Sequence, residues 1–277
     1  MPGLRSLWLS LSELSHRVQQ SEALHLASDF DGTLIPIADH PDQVLVPERT
    51  RGVLRRLFEL PDVQMAILSG RRLDDLERRF SGGRLFLAGT GGLESRDEHG
   101  RRQVHLPTDS RLPEALRQSL ITWCARFPGA WVEDKRLSCA LHYRAVPAAL
   151  QPAFGAGVRR RARPFREQAR LVHGKRVFEV MPAVQWEKSA ALRLWLDGRD
   201  SAGTLFFFGD DTNDEPVHRL VRERGGIAVA VGRVVSAAEF SLPSPDQVVW
   251  FLEWLERQWG ERAVAGEALA VRESAGA

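Results

Sequence analysis

Leu24-His25-Leu26-Ala27-Ser28-Asp29-Phe30-Asp31-Gly32-Thr33 is the stretch that decides the fold. A short strand-like run stops abruptly at two aspartates and a glycine, the pattern of a strand that delivers polar groups to the edge of a sheet. Working outward, the same grammar recurs twice. Val63 to Leu68 (VQMAIL) leads into Ser69-Gly70-Arg71, and Thr204 to Phe208 (TLFFF) leads into Gly209-Asp210-Asp211-Thr212-Asn213-Asp214. Helical patterns lie between. Pro47 to Leu60 carries Val53, Leu54, Leu57 and Phe58 at helical spacing, and Arg71 to Phe80 fits a helix stopped by Ser81-Gly82-Gly83. Strands that alternate with helices predict an α/β fold, a Rossmann-like doubly wound parallel sheet core. Arg84 to Ala88 and Ile227 to Val231 supply further strands, and helices are expected from Trp186 to about Leu196, after Asp214, and from Asp246 to about Trp259.

The texture changes after Gly89. A hairpin signal at Arg96 to Arg102 leads to a strand at Gln103 to Leu106, a helix from Pro113 to Phe127, strands at Trp131 to Glu133 and Ser138 to His142, a helix over Pro147 to Arg163, and strands near Leu171 and Val177 to Met181. This block reads as a small α/β cap domain inserted into the core. The expected division is core 1–96 and 184–260, insert 97–183, and a flexible tail at 261–277.

Composition bounds the rest. The 277 residues are 43% hydrophobic and 27% charged, as in an ordinary globular protein of one large domain or a core with an insert. Net charge is 38 minus 36, or +2, which gives no electrostatic case for nucleic acid. Arg159-Arg160-Arg161-Ala162-Arg163 is the one charge block and reads as a solvated helix face. Two cysteines, Cys124 and Cys139, supply neither a four-thiolate zinc site nor a disulfide framework. No apolar run reaches membrane-spanning length, and the first twenty residues lack the unbroken apolar stretch of a signal peptide, so a cytoplasmic protein is expected.

In an open parallel sheet, ligands bind outside the carboxyl ends of the strands, where the three polar clusters would converge. Asp29, Asp31, Asp210, Asp211 and Asp214 would crowd that site with negative charge, which a bound cation relieves. All-oxygen donors together with a substrate phosphate suit Mg²⁺. Asp29 can then attack phosphorus as a nucleophile, and Asp31, two residues on and pointing the same way in an extended segment, can do the proton work. Ser69, the Gly70 N–H at the start of a helix, and Lys188 at the head of another would bind phosphate oxygens. Each feature alone is commonplace, since Asp-x-Asp is often a turn and Ser an ordinary cap. Their joint arrival at one sheet edge is not.

The motifs DFDGTL (Asp29 to Leu34), ILSGR (Ile67 to Arg71), Lys188 and FFGDDTNDE (Phe207 to Glu215) resemble those of the haloacid-dehalogenase (HAD) superfamily of phosphotransferases. The resemblance implies a HAD-like core, Asp29 as nucleophile, Asp31 as general acid/base, and Ser69 and Lys188 on phosphate. It also implies Mg²⁺ held by Asp29, the Asp31 carbonyl and Asp210, with Asp211 or Asp214 close by.

Specificity should come from the insert. Glu133, Lys135, Ser138, His142 and Arg144 fall on two adjacent strands and Glu179 on a third, an arrangement of acceptors and donors suited to sugar hydroxyls. VEDKRLSCALHYR and GKRVFEVMP look like cap segments of trehalose-6-phosphate phosphatases. That resemblance implies disaccharide recognition by Glu133, Lys135 and Glu179, with Ser138, His142 and Arg144 as further candidates and Arg71 beside Gly70 at the phosphate. Gly91, Ser189 and Asn213 depart from the family pattern, where histidine, glycine and threonine are usual. The expected activity is Mg²⁺-dependent hydrolysis of trehalose 6-phosphate, with functional coupling to a trehalose-phosphate synthase as the expected partnership. The alternatives are a phosphatase of another sugar phosphate (sucrose phosphate or a glycosylglycerate phosphate), a sugar phosphomutase, and a catalytically silent sugar-phosphate sensor.

Overall fold

Three phenylalanines in a row show how the core is layered. In Thr204–Gly209, Phe206 and Phe208 join one buried cluster while Phe207 joins another, as the two-residue period of a strand buried on both faces requires. This computed structural model describes residues 3–38, 44–80, 84–107, 110–184, 186–199, 203–233 and 236–275, with side chains to residue 262. The expected helix stop at Ser81-Gly82-Gly83 lies outside the described residues.

In chain order the elements are β1 (Arg5–Ser6), α1 (Leu11–Gln19), β2 (Leu24–Ser28), α2 (Glu48–Glu59), β3 (Val63–Leu68), α3 (Leu73–Arg79), β4 (Leu85–Gly89), β5 (Glu94–Arg96), β6 (Arg102–Val104), α4 (Glu114–Cys124), β7 (Trp131–Asp134), β8 (Cys139–His142), α5 (Gln151–Ala162), β9 (Ala169–Gly174), β10 (Val177–Pro182), α6 (Lys188–Leu196), β11 (Thr204–Gly209), α7 (Glu215–Glu223), β12 (Ile227–Val231), β13 (Phe240–Leu242) and α8 (Pro245–Ala275).

Among the described residues, nine strands form one sheet in the order β1-β13-β12-β11-β2-β3-β4-β5-β6. Its pairings are parallel from β1 to β4 and antiparallel at β4-β5 and β5-β6. One face is covered by α1, α2 and α8, which bury Leu14, Val53, Leu57, Phe251 and Trp259. The other is covered by α6 and α7, which bury Leu192, Trp195, Val217 and Val221. Helices on both faces are the doubly wound arrangement, and β2, β3 and β11 end side by side at one edge.

The second sheet, β7-β8-β10-β9, is antiparallel and packs on α4 and α5 through Leu116, Leu120, Phe154, Val158 and Phe178. The hairpin expected to open the insert instead stays in the large sheet, so the chain leaves the core after Val104 and not at Asp97. Glu94 and Ser95 are buried against the core, which anchors that hairpin.

Three elements differ from expectation. The amphipathic α1 buries Leu14 and Val18 against the core, and β13 adds a short strand. The last helix continues past Trp259 to Ala275, through a sequence rich in the helix formers Ala and Glu. Cys124 and Cys139 are buried free thiols, and burial pushes them up to about 12 and about 11, which keeps them protonated and inert. Arg159, Arg160 and Arg163 lie exposed on and just after α5. No helix of the described residues is long and apolar enough to cross a membrane.

Candidate active site

The ends of β2 and β11 bring Asp29, Asp210 and Asp214 together, each buried, with one carboxylate oxygen from each lying within 4.8 Å of the others. Gly32 makes this approach feasible. Its φ of +86° turns the chain, and a Cβ there would stand 2.2 Å from Asp210 Oδ2. Lys188, first residue of α6, donates to Asp29 Oδ1 and to Asp214 Oδ1, each at 2.7 Å. The second oxygen of Asp214 accepts from the N–H groups of Asp210 (3.1 Å) and Asp211 (3.0 Å). Asp214, whose polar contacts are within the loop or to Lys188, is therefore the brace of the loop.

The electrostatics follow from burial. Asp29 is pushed well above the usual carboxylate range by burial, opposed by Lys188 and reinforced by Asp214 and Asp210. Asp210 is raised by burial too, against the pull of a lysine contact described below. Burial works against the Lys188 ammonium, but Asp214 and Asp29 overcome it and hold Lys188 above its ordinary value. Three buried carboxylates, Asp29, Asp210 and Asp214, against two ammonium groups, Lys188 and Lys175, leave a surplus of negative charge that fits a hard, oxygen-liganded divalent cation. Asn213 Oδ1, buried without a partner within the protein, is a further polar atom left over at the same loop.

Asp31 and Asp211 are placed differently from the rest of the expected acidic set. The Asp31 carboxylate is held by Arg71 in a two-pronged pair, Nε to Oδ2 at 2.6 Å and Nη2 to Oδ1 at 2.8 Å. Asp75 grips the same guanidinium at 2.8 Å, and together the two aspartates outweigh burial and raise the Arg71 pKa. Asp211 caps the turn Thr212–Asp214, accepting from the Thr212 N–H at 2.7 Å, and its other oxygen faces the Lys175 N–H at 3.3 Å. Ser69 is buried at the end of β3, and its Oγ accepts from the Arg71 N–H at 3.1 Å. Gly70 does not open a helix as expected; α3 begins three residues later, at Leu73, and the Gly70 carbonyl accepts from Lys135 Nζ at 2.7 Å.

The insert's sheet faces this cluster across a cleft of about 490 Å³. Lys135, buried, also donates to Glu179 Oε1 at 2.8 Å, and Glu179 with Glu133 raises it against the effect of burial. Glu133 Oε2 bonds His142 Nε2 at 2.9 Å; burial would raise Glu133, but His142 and Lys135 bring it below its ordinary value. Ser138 Oγ reaches Glu179 at 3.5 Å, and Arg144 Nη2 donates to the Lys175 carbonyl at 3.2 Å. Every expected sugar-binding residue except Ser138 lines the cleft, together with Asp29, Asp31, Ser69 and Lys188.

Sequence reasoning missed Lys175. It sits in the turn between β9 and β10, and its ammonium contacts Asp210 Oδ2 directly. A lysine in a hairpin turn carries no local sign of function; only the docking of that turn on the Asp211 loop, sealed by Thr212 Oγ1 donating to the His173 carbonyl at 3.3 Å, places it there. Trp131 and Ile37, which also line the cleft, were missed as well. Gly91 has a local explanation, since at φ +67° its Cβ would stand 2.8 Å from Met181 Cε.

Comparison with known proteins gives one consistent picture. The family model described as trehalose-phosphatase matches residues 27–246. Curated relatives include a trehalose-6-phosphate phosphatase of Escherichia coli, 34% identical over 82% of this chain and 84% of its own. Another is a probable trehalose-phosphate phosphatase of Sinorhizobium fredii, 33% identical over 79% and 82% respectively. Among solved structures, the C-terminal domain of the C. albicans trehalose-6-phosphate phosphatase superposes with a TM-score of 0.83 at 20% identity, covering 91% of this chain and 98% of that one. The corresponding domain of a Candida albicans trehalose synthase regulatory protein superposes at 0.68 with 13% identity, covering 91% and 99%.

Proposed function

The chain belongs to the trehalose-phosphatase family, and from that premise we propose that it hydrolyses trehalose 6-phosphate to trehalose and phosphate, as a step in trehalose biosynthesis, through an aspartyl-phosphate on Asp29. The observation that carries the reading is the meeting of Asp29, Lys188 and Asp210 with a cleft whose far wall is the Glu133, Lys135 and Glu179 face of the insert. A sensor that only bound its ligand would have no use for a buried nucleophile beside a second carboxyl group.

The residues present fit Mg²⁺, which Asp29, Asp210 and the Asp31 carbonyl would hold with Asp214 behind them and Asp211 near the shell. Bound there, it would offset the negative charge that repels phosphate from the carboxylates. The remaining work belongs to the chain. Asp29 attacks phosphorus, and Lys188 opposes the burial that raises that carboxyl group and neutralises the charge that gathers on the phosphoryl oxygens. Ser69 has its hydroxyl hydrogen free for a phosphate oxygen while its lone pair holds the Arg71 N–H. Arg71 keeps Asp31 at the cleft until the incoming phosphate competes for the guanidinium. Asp31, released from Arg71, takes up a proton from solvent and gives it to the departing sugar oxygen as the sugar O–P bond breaks; in the second step it takes a proton from the water that attacks phosphorus, and the Asp29 O–P bond breaks to free phosphate. Lys135 and Glu179, joined across the cleft floor to the Gly70 carbonyl, hold sugar hydroxyls and tie the insert to the phosphate loop. Closure of the insert over the site excludes bulk water from the intermediate.

The test is phosphate release from trehalose 6-phosphate, sucrose 6-phosphate and glucose 6-phosphate, with and without Mg²⁺, with Asp29→Asn as control. Metal-dependent release from trehalose 6-phosphate, lost in the variant, is the expected result. Release from another sugar phosphate alone would keep the chemistry and replace the substrate. Ligand binding without any release would make the protein a sensor.

A further inference from the structure

The sheet face that closes the cleft is divided into two rows. Antiparallel register sets Glu133 opposite Ala140 and Ala140 opposite Glu179, a row of acceptors with a small residue between them. Two residues along, the same register sets Trp131 opposite His142 and His142 opposite Val177. Because side chains repeat every second residue on one face of a strand, both rows face the same way, and Trp131, His142 and Val177 do line the cleft. The aromatic row is rigid. The Trp131 and His142 rings stack with centroids 4.0 Å apart and planes at 9°, and His142 is fixed at its Nε2 by Glu133. From the core side, Ile37, a large apolar side chain left 41% exposed, lines the same cleft with Ala38, and Ala145 of the insert joins them. The cleft thus carries Asp29, Lys188 and Lys135 among its charged lining and Trp131, Val177 and Ile37 among its apolar lining.

Phosphate has no use for the apolar part of this lining, and hydroxyls alone gain nothing from it. A pyranose ring does, because its axial C–H faces are apolar while its hydroxyls reach out to the neighbouring row of carboxylates. We infer that the Trp131–His142 pair is the wall that receives a sugar ring beyond the phosphate, and so selects a phosphorylated disaccharide over a small ester. This inference rests on the sugar-phosphatase reading above and names Trp131 as a specificity-determining residue of that site.

The experiment compares the parent protein with Trp131→Ala and Trp131→Phe for kcat/KM on trehalose 6-phosphate, sucrose 6-phosphate, glucose 6-phosphate and glycerol 2-phosphate. Trp131→Ala should lower kcat/KM about tenfold on the disaccharide phosphate that the parent prefers, mostly through KM, while glycerol 2-phosphate changes less than about twofold. Trp131→Phe should restore most of the loss. An equal fall on glycerol 2-phosphate, or no fall on any sugar phosphate, overturns the inference. If the parent prefers a disaccharide phosphate other than trehalose 6-phosphate, the same comparison on that substrate still decides the wall, and only the trehalose reading falls. If the parent accepts glycerol 2-phosphate as well as any sugar phosphate, both fall.

Discussion

Gly32→Ala tests the construction of the acidic cluster without touching a reacting group. At φ +86° an alanine pays the left-handed penalty of about 1–2 kcal/mol. Its Cβ would also stand 2.2 Å from Asp210 Oδ2, 2.6 Å from Cγ and 2.9 Å from Oδ1, more than an ångström inside ordinary contact. Asp210 is 2% exposed and pinned by Lys175 and Thr33, so moving it adds an overpacking cost of about 1–3 kcal/mol. Together these give a loss of about 2–5 kcal/mol. Gly100 supplies the control: its φ is +84°, but nothing lies within 4 Å of its Cβ, so Gly100→Ala should show the backbone part alone, about 1–2 kcal/mol. Urea denaturation of both variants, compared at equal m-value, isolates the clash as their difference. A carboxylate displaced by about an ångström should also cost roughly 100-fold in phosphate release for Gly32→Ala only. Equal stability losses in the two variants, with activity retained in both, would refute the packing argument.

Three other outcomes follow from the same geometry. Lys188→Met strands two buried carboxylates and should destabilise the protein by about 3–5 kcal/mol in urea with chelator present; a loss below about 1 kcal/mol would contradict the pairing. Asp75 is favoured by burial to rise, yet Arg79 and Arg71 hold it below its ordinary value. Its contribution is therefore fully present above the unfolded value near 3.9 and lost as pH falls through the lower folded one, so Asp75→Asn should flatten the acid limb of a stability-against-pH curve; an unchanged limb would contradict this. A double-mutant cycle of Lys135→Met and Glu179→Gln, read by thermal unfolding, should give a coupling of about 1–3 kcal/mol for this pair, whose side chains are only 8% and 12% exposed, and additive losses would show that they act separately.

How much of this was legible follows from what kind of signal each residue carries. Asp29, Ser69 and Asp210 end apolar strands, so a period-two pattern with an abrupt polar stop placed them at one edge before any packing was known. Glu133 and Glu179 fall on strands, as alternation suggested, while Lys135 follows the end of β7, and all three line one cleft. Side-chain direction within a loop was not legible. Nothing local distinguishes Asp214, whose carboxylate turns inward to brace the loop, from Asp211, which turns to cap Thr212. The Arg71 grip on Asp31 spans 40 residues and depends on how two core loops meet, while Lys175 reaches Asp210 across 35 residues and depends on how the insert docks on the core. The charged turn and second strand of the hairpin, Asp97 to Val104, read as insert because they interrupt the strand-helix alternation, whereas β6 pairs with β5, which pairs with β4 and keeps the hairpin in the large sheet.

The most direct test of the account is to mix the protein with trehalose 6-[³²P]phosphate and Mg²⁺, quench in acid within the first turnover, and map any label that stays on the chain. The account predicts a phosphorylated, hydroxylamine-labile peptide containing Asp29, absent from Asp29→Asn. Full turnover with no protein-bound label, or label on a peptide without Asp29, would contradict it.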